Sequence, residues 1–285
     1  MNENDLRKLT EDKILYLVET SAENTLKGFS EKAWDTPLTA FSSGADPLYN
    51  SYKTIVGEKF WTPVEIMQKT FPHDTFNEDH LTVISWILPQ TEATLSDQRQ
   101  ETELPSSRWV HSRHYGEFFN EFLRREIRDM YLSMGIKACA PALSPDFAYQ
   151  ESETTGKYSN WSERHVAYAA GLGTFSLSDG FITEKGMAAR IGSVVIDTYI
   201  TPDKREYTNH LGNCLYYAKG TCGACIKRCP AGAITREGHD KQKCFDYIRG
   251  VTGPHAQKLL GTFQTPCGLC QVRVPCEKHN PMAQR

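Results

Sequence analysis

No stretch of this chain approaches the roughly 20 consecutive apolar residues that span a bilayer, so a transmembrane helix is not expected. The N-terminus, Met1-Asn-Glu-Asn-Asp-Leu-Arg-Lys8, has no apolar h-region, no twin-arginine pair and no small-residue cleavage site, so no export leader is expected. Basic residues form no long block and no aromatic-interleaved stripe, and net charge is −3, so nothing argues for a nucleic-acid partner. There is no internal repeat or low-complexity tract. Cysteine is almost missing from the first 213 positions, where Cys139 stands alone. These absences describe a cytoplasmic chain with no membrane partner. In a reducing compartment, clustered cysteines are read as metal ligands before they are read as disulfides.

What is present is an ordinary globular composition, 39% hydrophobic and 24% charged. A length of 285 residues suits one core domain with a compact appendage. The polar run Thr201-Pro-Asp-Lys-Arg-Glu206 marks the boundary, giving a core over 1–205 and a second unit over 206–285. In the core, residues 11–26 read as a helix through Ile14, Leu15, Leu17 and Val18. The short β-branched run Leu81–Leu88, stopped by Pro89, reads as a buried strand. Over 113–134, Tyr115, Phe118, Phe119, Phe122, Ile127 and Tyr131 follow helical spacing, with Gly135 as the stop. Residues 163–170 read as a helix ending at Gly171-Leu-Gly173, and Ile191–Ile200 as a second strand. Between Thr91 and Ser107 lies a polar loop, long enough to be a lid or merely mobile. Helix and strand interleaved over about 200 residues give an α/β sandwich.

The other eight cysteines fall within 214–276. The first run is Cys214-x7-Cys222-x2-Cys225-x3-Cys229-Pro230; the second is Cys244, then Cys267-x2-Cys270-x5-Cys276. A 4Fe–4S cube takes four thiolates, and in two-cluster ferredoxins the fourth cysteine of a run crosses to the other cluster. That rule gives one cluster to Cys214, Cys222, Cys225 and Cys276, and the other to Cys229, Cys244, Cys267 and Cys270. The match is imperfect. Seven residues separate the first two cysteines, and Pro275 precedes the last cysteine instead of following it. A longer loop is cheap, since each doubling costs about 0.6 kcal/mol. The rival is a structural zinc on Cys222, Cys225, Cys267 and Cys270, which leaves four cysteines without a role. Cys139 lies outside the pattern and reads as a small buried hydrophobe.

The segment Trp161–Phe175, containing Ala170-Gly-Leu-Gly173, followed by Phe181–Gly186 and Arg190–Asp197, resembles the corrinoid iron–sulfur reductases, the group of epoxyqueuosine reductases and reductive dehalogenases. The resemblance covers roughly 80–285 and takes in the cysteine order. It implies a nitroreductase-like α/β core holding a cobalamin, and a small C-terminal ferredoxin-like domain with two 4Fe–4S clusters. A low-potential donor such as a ferredoxin or flavodoxin would supply electrons for a small organic substrate. Gly171, Leu172, Gly173, Thr174 and Phe175 are the implied cofactor-binding turn, and Tyr158 and Arg190 the implied proton donor and anion or corrin contact. For each there is a plainer role: a tyrosine packed at a loop, a surface ion pair, a helix C-cap. Glu163 and His165 read as capping or core residues. The chain departs from epoxyqueuosine reductases at Lys157-Tyr-Ser-Asn160, where those enzymes carry an aspartate as proton donor. Their trailing tRNA-binding repeat domain is not expected here, nor is a dehalogenase leader. No Asp-x-His-x-x-Gly stretch is present, which suits a base-off corrin. The function expected is a corrinoid-dependent oxidoreductase. The alternatives are a non-catalytic electron carrier or reductive activator of a partner corrinoid protein, and a zinc-stabilised binding module.

Overall fold

The computed structural model describes residues 2–153 and 156–283. Along the chain run α1 (Glu3–Thr20), β1 (Leu38–Ser43), α2 (Leu48–Ile55), α3 (Pro63–Thr70), β2 (Thr82–Pro89), α4 (Glu92–Gln100), α5 (Ser107–Ser133), β3 (Ala138–Cys139), β4 (Tyr149–Ser152), β5 (Gly156–Ser159), α6 (Glu163–Ala169), β6 (Gly173–Phe175), β7 (Phe181–Thr183), β8 (Ala189–Ile196), α7 (Leu215–Lys219), α8 (Ala224–Arg228), α9 (Lys241–Tyr247) and α10 (Gly253–Leu260). The architecture is mixed α/β. Among the described residues no helix is long and apolar enough to cross a membrane.

The central sheet has the order β1-β2-β8-β3 with antiparallel pairings throughout. Every residue of β2 is buried because helices cover both faces. Period-2 alternation then sends Ile84, Trp86 and Leu88 into one core with α1 and α5. Val83 points the other way, joining Tyr49, Tyr52, Phe60, Ile66 and Trp161 under α2, α3 and α6. Cys139 is buried in this second core opposite Val195, and burial pushes its thiol up to about 12.

Several boundaries differ from the sequence expectation. Helix α1 begins eight residues before position 11, because Asn2 and Asp5 form a reciprocal capping box, and it ends at Thr20. Helix α5 begins at Ser107, where the Ser106 hydroxyl accepts from the Trp109 N–H. The strand over 191–200 ends at Ile196, where pairing with β2 and β3 stops. The supposed loop from Thr91 to Ser107 contains α4, capped by Thr91. Its inner face is mostly polar, with Thr94 and Gln98 buried beside Leu95, so it shows no apolar stripe. Gln98 Nε2 donates to Cys267 O at 2.7 Å, while Gln98 Oε1 accepts from the Ser106 N–H. The segment is tied further by Tyr247 to Glu103 O, by Arg228 to Glu101 O and by the Arg99–Glu277 ion pair. The reading of 91–107 as a lid is corrected: it is a strap fastened to the cysteine-rich region.

Candidate functional site

Cys214 is the N-cap of α7. It follows Asn213, whose N–H donates to Thr174 Oγ1 and whose side chain donates to Ile182 O. Cys222 and Cys225 flank Gly223, which turns the chain into α8. Cys276 arrives from the far end of the chain, its carbonyl accepting from the Met187 N–H at 2.9 Å. Gly186, at φ +79°, abuts the Glu277 backbone so closely that a Cβ would overlap it. These four cysteines share the lining of one small cavity with Ile182 and Met187. Burial pushes the Cys225 thiol up to about 11, with Cys214 and Cys222 adding to it. Cys276 rises to about 12 through burial and then through Cys214, Cys225 and Cys222.

The remaining four are Cys229, Cys244, Cys267 and Cys270. Burial raises Cys267 to about 11, with Cys244 and Cys229 adding to it. Cys270 is pushed well above the normal thiol range by burial, then by Cys267, Cys229, Cys244 and Cys225. Cys229 caps the C-terminus of α8, and Cys244 lies within α9. Gly268, at φ +65°, turns the chain between Cys267 and Cys270, with no room for a Cβ beside the Trp109 ring. His239 bonds both Cys244 and Asp179, the latter at 3.0 Å. Cys214, Cys222, Cys225 and Cys276 thus share one cavity, while Cys267 and Cys270 both feel Cys229 and Cys244, and Cys270 also feels Cys225.

The donor set can be tested against what it would hold. Zinc keeps its thiolates at about 2.3 Å, which crowds four sulfurs around a point. Among the described residues no three His, Cys, Asp or Glu side chains converge to hold a single ion. Instead the first four ring a cavity. Thiols this costly to ionise need a cationic body among them to become thiolates. Eight clustered cysteines, four of them around one cavity, suit two iron–sulfur cubes better than one zinc, which would leave four without a role.

Away from the cysteines, Arg190 stands at the start of β8 opposite Leu88. Its Nε donates to Glu117 at 2.8 Å. Glu117 also accepts from Arg124, whose other Nη donates to Glu163 at 3.0 Å. Glu163 accepts from Ser193 Oγ at 2.6 Å, and Trp161 Nε1 donates to the same serine. Burial acts to raise Glu117, but Arg190 and then Arg124 outweigh it and hold the carboxyl below the usual range. At Glu163 burial wins, and its pKa is raised. The sequence reading missed Arg113, Glu117, Asn120 and Arg124. They form a polar stripe at helical spacing on α5, interleaved with the apolar pattern, and that stripe was the available signal.

Tyr158 lies in β5, buried, with its ring on Gly57 and its hydroxyl accepting from the Lys59 N–H at 3.3 Å. No hydrogen bond or ion pair joins it to Arg190 among the described residues. The 171–175 turn is committed to protein neighbours. Gly171 is left-handed against the Lys204–Arg205 backbone, and Gly173 abuts Ile182 O. Leu172 is buried, Thr174 holds Asn213, and the Phe175 N–H donates to His210 O. Through these bonds the turn positions the segment leading to Cys214. The β4–β5 hairpin reaches the cysteine-rich region, where Lys157 Nζ sits 4.3 Å above the Phe245 ring.

No protein-family model matches the chain. An epoxyqueuosine reductase of Lactococcus garvieae is 29% identical over 170 residues, covering 58% of this chain and 43% of that protein. The chain resembles the epoxyqueuosine reductases. It spans less than half the length of this curated relative. The likeness extends to the fold: an epoxyqueuosine reductase solved with an epoxyqueuosine-modified tRNA-Tyr stem loop superposes with a TM-score of 0.54 at 16% identity, covering 99% of this chain and 68% of that one. A catabolic reductive dehalogenase shares the fold over 73% of this chain and 27% of its own, with a TM-score of 0.50 at 15% identity.

Proposed function

We propose that the chain is a corrinoid-dependent iron–sulfur oxidoreductase of the cytoplasm. In this reading a nitroreductase-like core, residues 1–205, adjoins a ferredoxin-like unit over 206–285. The observation that carries it is eight cysteines within 214–276, four of them lining one cavity, in a chain resembling epoxyqueuosine reductase. Cys214, Cys222, Cys225 and Cys276 would hold one 4Fe–4S cluster, and Cys229, Cys244, Cys267 and Cys270 the other. When bound, the clusters supply low-potential electrons and the corrinoid a strongly reducing cobalt.

The chain's own residues hold, orient and shield these groups. Strap α4 covers the second set, with Gln98 fixing Cys267 and Arg228 bonding Leu269 O and Val272 O. The 171–175 turn fixes Asn213 and so Cys214. The corrinoid would lie beside Arg113, Arg190 and the hairpin, which reaches the cysteine-rich region through Lys157 and Phe245. Arg190 would orient an anionic group there. Tyr158 would act as proton donor only after its ring leaves Gly57, so Tyr158→Phe should lower kcat if it fills that role.

A donor of acidic surface fits the second unit. Residues 206–285 hold eleven lysines and arginines against five aspartates and glutamates, a net +6 in a chain of −3. A ferredoxin or flavodoxin has the required chemistry. A small organic molecule is the substrate read from sequence. The second reading is a modified nucleoside on tRNA, favoured by the epoxyqueuosine reductase likeness. That reading replaces the expectation that no nucleic acid is bound. Anaerobic assay of the corrinoid-loaded protein with an epoxyqueuosine-bearing tRNA stem loop decides between them, turnover supporting the tRNA reading. Protein that holds iron yet binds no corrinoid refutes the enzyme reading and leaves an electron carrier.

A further inference from the structure

The stripe on α5 contains one guanidinium that the ion-pair network does not use. Arg124 is matched by Glu117 and Glu163, and Arg190 by Glu117. Arg113, one turn before Glu117, makes no hydrogen bond or ion pair among the described residues. Arginine carries five N–H donors and cannot escape by losing its proton. None of its nitrogens is sealed from solvent with its donors unmet, as Arg124 Nε is. The neighbouring charge of Arg190, then burial, depresses Arg113 to about 10, with Glu117 and Tyr149 opposing. Three arginines therefore face two carboxylates, leaving one positive charge unbalanced. His114 is next in sequence, and burial and then Arg113 lower its pKa, which disfavours a further positive charge beside them. Tyr149, among the groups acting on Arg113, is 81% exposed.

We propose that Arg113 and Arg190 form a binding site for a phosphodiester. A monoanion completes the charge balance, guanidinium forks suit phosphate oxygens, and the open ring of Tyr149 offers a stacking face for an attached base. The anion would come from the nucleotide loop of a corrinoid or from an RNA backbone. The first source rests on the corrinoid reading above; the second does not.

The test titrates wild type and Arg113→Gln, both with clusters intact, with cobalamin, with cobinamide (which lacks the nucleotide loop) and with a short single-stranded RNA. If the corrinoid supplies the anion, wild type prefers cobalamin to cobinamide by about tenfold to a hundredfold, and Arg113→Gln erases the preference. If RNA supplies it, RNA affinity falls by a similar factor in the variant and the corrinoids are unaffected. Unchanged affinities for all three probes overturn the site. So does an equal loss for all three, cobinamide included, which marks a structural role. Wild type that binds no corrinoid sinks the corrinoid reading alone, and the RNA arm then decides the site; binding of neither overturns it. Inorganic phosphate gives a second readout, raising the Tm of wild type more than that of the variant. Should Arg113→Gln fail to fold, Arg113→Lys keeps the charge without the fork and is read by the same outcomes.

Discussion

Replacing Arg124 by methionine removes the cation that joins α5 to α6 across β8. The side chain is 4% exposed and donates to Glu117, Glu163 and Ile191 O. Glu117 keeps Arg190, but Glu163 is left with the Ser193 hydroxyl, buried and without a cation. Breaking a buried pair by removing one partner costs about 3–5 kcal/mol. Unfolding entropy near 2.1 cal/mol/K per residue gives roughly 0.6 kcal/mol/K for this chain, so Tm should fall by about 5–8 °C. The stranded Glu163, already raised by burial, should take up a proton, so the loss should shrink as pH falls. Adding Glu163→Gln should recover part of the loss, because the uncompensated charge is gone. Calorimetry of anaerobic, cluster-loaded protein at one scan rate reads this as an apparent Tm. A drop below about 2 °C, or additive losses in the double variant, refutes the account of the network.

The other predictions concern the cysteines, one turn and acid sensitivity. Cys276→Ser and Cys229→Ser should each perturb a different cluster signal in electron paramagnetic resonance; if both alter the same signal, the two sets are wrongly drawn. Gly268→Ala should cost about 2–4 kcal/mol, from left-handed strain and overlap with Trp109. Gly261→Ala, also left-handed but with open space at its Cβ, should cost only about 1–2; equal losses in denaturant titration would contradict the packing argument. His165 is held neutral, its pKa pushed down to about 3 by burial and then by nearby cations. Its folded value lies below the unfolded 6.5, so its contribution is complete above pH 6.5 and is lost on acidification toward 3. The slope is up to about 1.4 kcal/mol per pH unit, and His165→Asn should flatten that part of the stability curve.

How much was legible in the sequence depended on where the information lay. The crowding of eight cysteines into 214–276 could be read because it lies in the sequence itself. Strand β2 could be read because a sheet covered on both faces needs an uninterrupted apolar run. The start of α1 escaped because Asn2 and Asp5 act through hydrogen bonds that carry no apolar period. Helix α4 escaped because Gln98 and Thr94 bury polar groups whose partners, Cys267 O among them, lie far along the chain. The stripe of Arg113, Glu117 and Arg124 was hidden for the same reason, since its meaning depends on Arg190 and Glu163 arriving from other elements. The 171–175 turn was seen, but its commitments to Asn213 and His210 are tertiary facts.

The most direct test of the whole account is iron and acid-labile sulfide analysis of protein isolated without oxygen. The account predicts about eight irons and eight sulfides per chain, with broad absorption near 400 nm that bleaches on reduction. One zinc per chain and no iron would contradict it.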